Sequence, residues 1–103
     1  MLLKRNPTRS KIYLDFVRSL PCAACYATDN SDPHHGIDMG LIPGVGTTET
    51  DIFAIPLCRG CHARLHDDVP AWEAMYGKQV YHILKTLQKA EDAGVLPMVF
   101  KRG

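Results

Sequence analysis

No apolar run in this 103-residue sequence approaches the roughly 18 residues of a membrane span, so a transmembrane helix is excluded and no membrane partner is expected. The opening residues 1–7 also lack the apolar stretch of a signal peptide, which makes a cytoplasmic, reducing location the default expectation. In that setting two disulfides are disfavoured and thiolate–metal bonds are favoured for the four cysteines. Length is short as well. A chain of this size is one domain, over 1–103, whose small core invites help from a metal. Excess charge of either sign is lacking, with a formal net charge of +1.

That balance conceals a split. Residues 1–20 carry Lys4, Arg5, Arg9, Lys11 and Arg18 against Asp15 alone, and Lys78, Lys85, Lys89, Lys101 and Arg102 make the far end basic again. Between them only Arg59 and Arg64 oppose Asp29, Asp32, Asp38, Glu49, Asp51, Asp67, Asp68 and Glu73. Basic ends can neutralise phosphates, although charge alone equally describes solvated helix faces.

Residues 9–20 have helical periodicity, with Ile12, Phe16 and Leu20 at i, i+4, i+8, Ser10 near the start and Pro21 as a stop. A short extended piece carries His34 and His35, and a glycine-rich loop follows over 36–50. Residues 51–57 are apolar and partly β-branched, and read as a second strand in which Pro56 marks an edge or an end. Short helices are expected over 58–67 and 70–76. A last helix over 78–93 repeats Val80, Leu84, Leu87 and Ala90 and stops at Gly94. Thus 20–77 is a motif-bearing core flanked by helices at 9–20 and 78–93.

The chemistry is concentrated in that core. Cys22-Ala-Ala-Cys25 and Cys58-Arg-Gly-Cys61 are two chelating turns, and two such knuckles meeting make a tetrahedron suited to a structural Zn2+. A thioredoxin-like redox pair lacks its βαβ context. The haem-attachment reading of Cys58–His62 requires export and leaves Cys22 and Cys25 without purpose. Zinc with one histidine in place of a cysteine stays open.

With the cysteines assigned, His34, His35, His62 and His66 are left. His62 and His66 stand at i, i+4 on one helix face, a bidentate platform for a metal. A third ligand from the His34–His35 strand would leave open coordination positions, as a hydrolytic site requires. Neighbours on a strand point oppositely, so one histidine can face the ion while the other addresses a water. The bland alternative is a set of surface histidines, with His62 only capping a zinc knuckle. Trp72, Met75 and Tyr76 read as packing beneath the metal helix, and His82 as surface or core edge. Arg59 and Arg64 share the ligand helix and are candidate phosphate contacts.

This arrangement resembles the HNH, or ββα-metal, endonuclease superfamily, and within it the phage-type nucleases with two CxxC zinc knuckles related to the recombination-enhancement (Ref) nuclease. The resemblance rests on Leu20-Pro21-Cys22, Asp32-Pro33-His34-His35, residues 51–58, Cys61-His62-Ala63-Arg64-Leu65-His66 and residues 72–77, somewhat more than half of the chain. It implies a small α+β, ββα-metal domain with a four-cysteine zinc site and flanking helices. By the same resemblance His35 matches the general base, and His34, His62 and His66 match the ligands of a catalytic Mg2+ or other divalent ion. The implied activity is DNA phosphodiester hydrolysis leaving a 5′-phosphate and a 3′-hydroxyl, in phage or prophage recombination or DNA processing. DNA and a recombinase filament are the implied partners. The chain departs from the family at the middle letter of HNH, because no asparagine lies between His35 and His62. Asp51, or a backbone carbonyl of the glycine-rich loop, is the expected substitute. The competing class is a zinc-stabilised nucleic-acid-binding or adaptor module without catalysis.

Overall fold

A computed structural model describes residues 8–36 and 50–100. In chain order these form helix α1 (Lys11–Arg18), strand β1 (Ser31–His35), a 3₁₀ turn (Asp51–Phe53), strand β2 (Ala54–Cys58), and helices α2 (Arg59–Asp67), α3 (Val69–Tyr76), α4 (Gln79–Asp92) and α5 (Leu96–Val99). The class is α+β, a two-stranded sheet against which α1, α2 and α4 pack. Residues 37–49 of the expected glycine-rich loop lie outside the described residues, as do Lys4, Arg5, Lys101 and Arg102 of the basic ends. Among the described residues, no helix is long and apolar enough to cross a membrane.

β1 and β2 pair antiparallel, with His34 opposite Ile55, His35 opposite Ala54 and Pro33 opposite Pro56. The proline pair explains how Pro56 sits mid-strand rather than at its end. The Pro56 carbonyl accepts from the Ala23 N–H at 2.8 Å, outside the ladder, so this is a position where a missing N–H loses no cross-strand bond. The same bond fastens the first CxxC turn to the outer edge of β2.

Every residue of β2 is buried, because the strand feeds two clusters. Ile55 and Leu57 join Cys22, Cys61, Leu65, Trp72 and Ile83 in one, and Ala54 joins Tyr13, Val17 and Ala90 in the other. Burying a side chain of the Leu or Ile kind stabilises by about 1.5–3 kcal/mol, so this short strand carries much of the small core.

α1 starts where expected, since the Ser10 hydroxyl accepts from the Tyr13 N–H at 3.1 Å and satisfies one of the free amides of the first turn. Its buried stripe is Tyr13 and Val17, one residue off the expected Ile12–Phe16–Leu20 line, and Ile12 is 45 % exposed. The helix ends at Arg18, so Leu20 lies beyond it and the phase is set by Tyr13 and Val17 against Ala54 and Ala90. The α4 stripe is corrected in the same way. Gln79, His82, Ile83, Thr86 and Ala90 are buried, whereas Leu84 is 60 % exposed. The polar members take the inner face because they find partners there: His82 Nε2 donates to the Tyr76 carbonyl at 2.7 Å, and the Thr86 hydroxyl to the His82 carbonyl at 2.8 Å. His82 is therefore a satisfied buried histidine.

Between α2 and α3 the Asp68 carboxylate caps the next helix, accepting from the Ala71 N–H at 3.1 Å. Trp72 is buried with the Tyr76 ring 5.1 Å away, as packing requires, but Met75 points outward at 73 % exposure. Gly77, at φ 98, closes α3 in a conformation that favours glycine and turns the chain directly into Gln79.

Candidate metal centres and a histidine–aspartate pair

The first knuckle is a tight turn. The Tyr26 N–H donates to the Cys22 carbonyl and the Cys22 N–H to the Ala27 carbonyl, both at 2.9 Å, while Tyr26 adopts φ 65 to reverse the chain. The second knuckle spans the junction of β2 and α2, with Cys58 ending the strand and Cys61 in the first helical turn. Together they bring the four sulfurs within 4.8 Å of one another, so these four cysteines can hold a metal ion. Cys25 Sγ and Cys58 Sγ are 3.7 Å apart. Metal–sulfur bonds of about 2.3 Å in a tetrahedron predict edges of about 3.8 Å. The four are free thiols and not disulfides.

Electrostatics make the same point. Burial alone would push Cys22 up, but the backbone N–H groups of Cys25, Cys58 and Ala24 outweigh it and bring the thiol down to about 7. Cys61 is pushed up to about 12 by burial and by the neighbouring Cys58, Cys22 and Cys25 thiols. Sulfurs this close cannot all ionise by themselves, and a soft divalent cation removes the conflict. The donor set thus fits a structural zinc.

The histidines separate by strand alternation. His34 turns into the protein at 1 % exposure, and its ring lies 4.8 Å from His62 and 5.4 Å from His66, edge to face. One turn of α2 stacks the other two, with Nε2 atoms 3.0 Å apart. One ring nitrogen from each of His34, His62 and His66 lies within 4.8 Å of the others, a second group able to hold a metal. His34 is brought down to about 4 by burial and by its three histidine neighbours, against a raising contribution from Gln79. Burial and His66 also lower His62. Both are therefore neutral at pH 7, the form in which imidazole ligates.

His35 turns the other way. Its Nε2 meets Asp51 Oδ1 at 3.0 Å, and because a carboxylate only accepts, the Nε2–H donates, which in the neutral ring leaves the lone pair on Nδ1. Asp51 is itself fixed, 3 % exposed, with Oδ2 accepting from the Ser10 N–H at 2.7 Å and its own N–H donating to the Thr8 carbonyl at 2.8 Å. Asp51 thus holds the His35 ring by its Nε2 edge.

The two arginines differ. Arg59 is 88 % exposed and 3.6 Å from Asp32, whereas the Arg64 guanidinium donates to Cys61 Sγ at 3.4 Å and so addresses the thiol cluster. Sequence reasoning missed Gln79 and Glu73. Gln79 is fully buried with Oε1 3.0 Å from His34 Nε2, and Glu73 accepts from Gln79. No motif or spacing points to a glutamine at the start of a helix.

Residues 2–94 match the family described as "Protein of unknown function (DUF968)". The chain belongs to this family. It is also 40 % identical over 95 residues to "Uncharacterized protein YdfU" of Escherichia coli (strain K12), a match covering 92 % of this chain and 27 % of that protein. The chain therefore spans about a quarter of the length of that relative. No solved structure matches.

Proposed function

We propose that this DUF968 chain is a divalent-metal-dependent DNA endonuclease or nickase of the HNH, ββα-metal kind, with the cysteine cluster as its structural zinc site. The observation that carries this reading is the convergence of three imidazoles on one point beside a fourth histidine hydrogen-bonded to a buried carboxylate. An antiparallel hairpin followed by a helix supplies both, with His34 and His35 from β1 and His62 and His66 from α2.

In this reading His35 Nδ1 takes a proton from the attacking water, and the Asp51 carboxylate offsets the charge that the ring gains. The new oxygen–phosphorus bond forms as the bond to the 3′ oxygen breaks. That oxygen picks up a proton from solvent, leaving a 3′-hydroxyl and a 5′-phosphate. His34, His62 and His66 would hold the divalent ion, which when bound would supply charge neutralisation at the scissile phosphate and support for the leaving oxygen. Among the described residues the cluster is three imidazoles, a donor set that favours Co2+ or Ni2+ over Mg2+ in affinity. Arg59 and Arg64, both exposed on α2, are the candidate phosphate contacts on that helix, Arg64 while also donating to Cys61 Sγ.

Nicking of supercoiled plasmid with Mg2+, Mn2+, Co2+ or Ni2+, with and without a recombinase filament on the DNA, tests the proposal. Wild type should cut and His35→Ala should bind without cutting. DNA binding with no cleavage under any of these ions would leave the adaptor reading instead.

A further inference from the structure

His34 has two ring nitrogens, and the surroundings decide which one is the ligand atom. Glu73 is the fixed point. Its side chain is only 13 % exposed, with Oε1 3.6 Å from Lys78 Nζ and Oε2 accepting from the Gln79 backbone N–H at 3.1 Å. The same Oε2 lies 3.4 Å from Gln79 Nε2. A carboxylate offers no proton, so the amide of Gln79 must present its NH2 to Glu73 and its oxygen to the other side. That oxygen, Oε1, lies 3.0 Å from His34 Nε2. An amide oxygen also only accepts, so the His34 proton resides on Nε2. Nδ1 then carries a bare lone pair, and it is buried with no hydrogen-bond partner, a rare condition for a polar atom in a protein interior.

We infer that Glu73 and Gln79 form a positioning relay that locks His34 in its Nε2–H tautomer and presents Nδ1, beside His62 and His66, as a metal-ligand atom. The inference rests on the proposed histidine metal site and adds to it two residues that touch neither metal nor DNA. The logic is that of an outer-shell partner, which fixes ring orientation and tautomer and raises ligand basicity. The relay also gives α3 and the start of α4 a role. Asp68 caps α3 and Gly77 ends it, so that Glu73 and Gln79 meet behind the strand that bears His34.

The tautomer can be read without DNA. Long-range proton–nitrogen correlation spectra of the protein loaded with zinc at its cysteines, at neutral pH, should show His34 protonated on Nε2 and bare on Nδ1. Gln79→Met keeps the bulk but removes the acceptor. It should abolish that single-tautomer signature and lower Ni2+ affinity, measured by calorimetry on the same zinc-loaded protein, by about 10–100-fold. Glu73→Gln leaves Gln79 in place but removes the charged acceptor that orients its amide, and should give mixed His34 tautomers with a smaller loss of Ni2+ affinity. If Gln79→Met loses its fold, Glu73→Gln decides the matter. A wild-type His34 protonated on Nδ1, or variants with wild-type tautomer and Ni2+ affinity, would overturn the relay. The relay and the nuclease reading fail separately. Wild-type cleavage with unaltered variants sinks only the relay, whereas the expected tautomer and affinity losses without any cleavage sink only the nuclease.

Discussion

The cysteine and histidine clusters grow from the same hairpin and helix, yet one is closed and the other open. Three of the four thiols are buried, and the four sulfurs lie within 4.8 Å of one another, enough ligands to close a metal's coordination. Of the three clustered imidazoles only His34 is buried, while His62 is half-buried and His66 exposed. A closed set of four soft ligands suits a fold staple. Three nitrogens with an outward side suit an ion that must also meet water and substrate. Position along α2 makes the difference: Cys61 faces the core beside Leu65, whereas His62 and His66 lie on the face that looks past His34.

The comparison is broken most severely at the cysteines. Structural zinc in small domains contributes about 10–16 kcal/mol, comparable to the whole stability of a domain. Cys61→Ser should lose zinc and the cooperative thermal transition together, as seen by metal analysis and circular dichroism. At the histidines the expectation reverses. His35→Ala should lower the cleavage rate by about 10²–10⁴-fold with zinc content and melting temperature little changed, because the ring is a quarter exposed. Asp51→Asn keeps the size of the side chain but weakens the hold on His35, and should lower cleavage by about 10–100-fold.

Acid sharpens the comparison further. Burial lowers His34, His62 and His82 below the ordinary value of 6.5. The unfolded chain therefore takes up protons first. Stability contributed by these neutral rings is complete above about pH 6.5 and is lost as pH falls through their folded values, near 4 for His34. Urea midpoints should drop over that window. Since His82 belongs to neither cluster, His82→Gln should lessen the slope without changing zinc content or cleavage. The smallest effect is expected at Arg59, whose exposed pair with Asp32 is worth on the order of 0.5 kcal/mol or less. Arg59→Ala should leave the melt unchanged and weaken DNA binding in a salt-dependent way.

The two clusters were legible in the sequence for a physical reason: thiol and imidazole spacings on turns and helices fix ligand directions before any packing is known. Asp51 was legible only through an absence, that of the asparagine expected between His35 and His62. Gln79 and Glu73 were not legible, because a tautomer-setting contact between residues 34 and 79 leaves no local pattern. The helix phases failed for a related reason. Counting apolar residues alone put Ile12 and Leu84 inside, whereas Tyr13, Gln79, His82 and Thr86 take those places through packing and hydrogen bonds that periodicity does not register.

His66→Ala tests the division of labour most directly, because His66 is exposed and its truncation should cost the fold little. On one preparation, the account predicts wild-type zinc at the cysteines, a melting temperature close to wild type, and plasmid nicking reduced to background. A His66→Ala protein that nicks DNA at the wild-type rate, or that loses its cysteine-bound zinc, would contradict it.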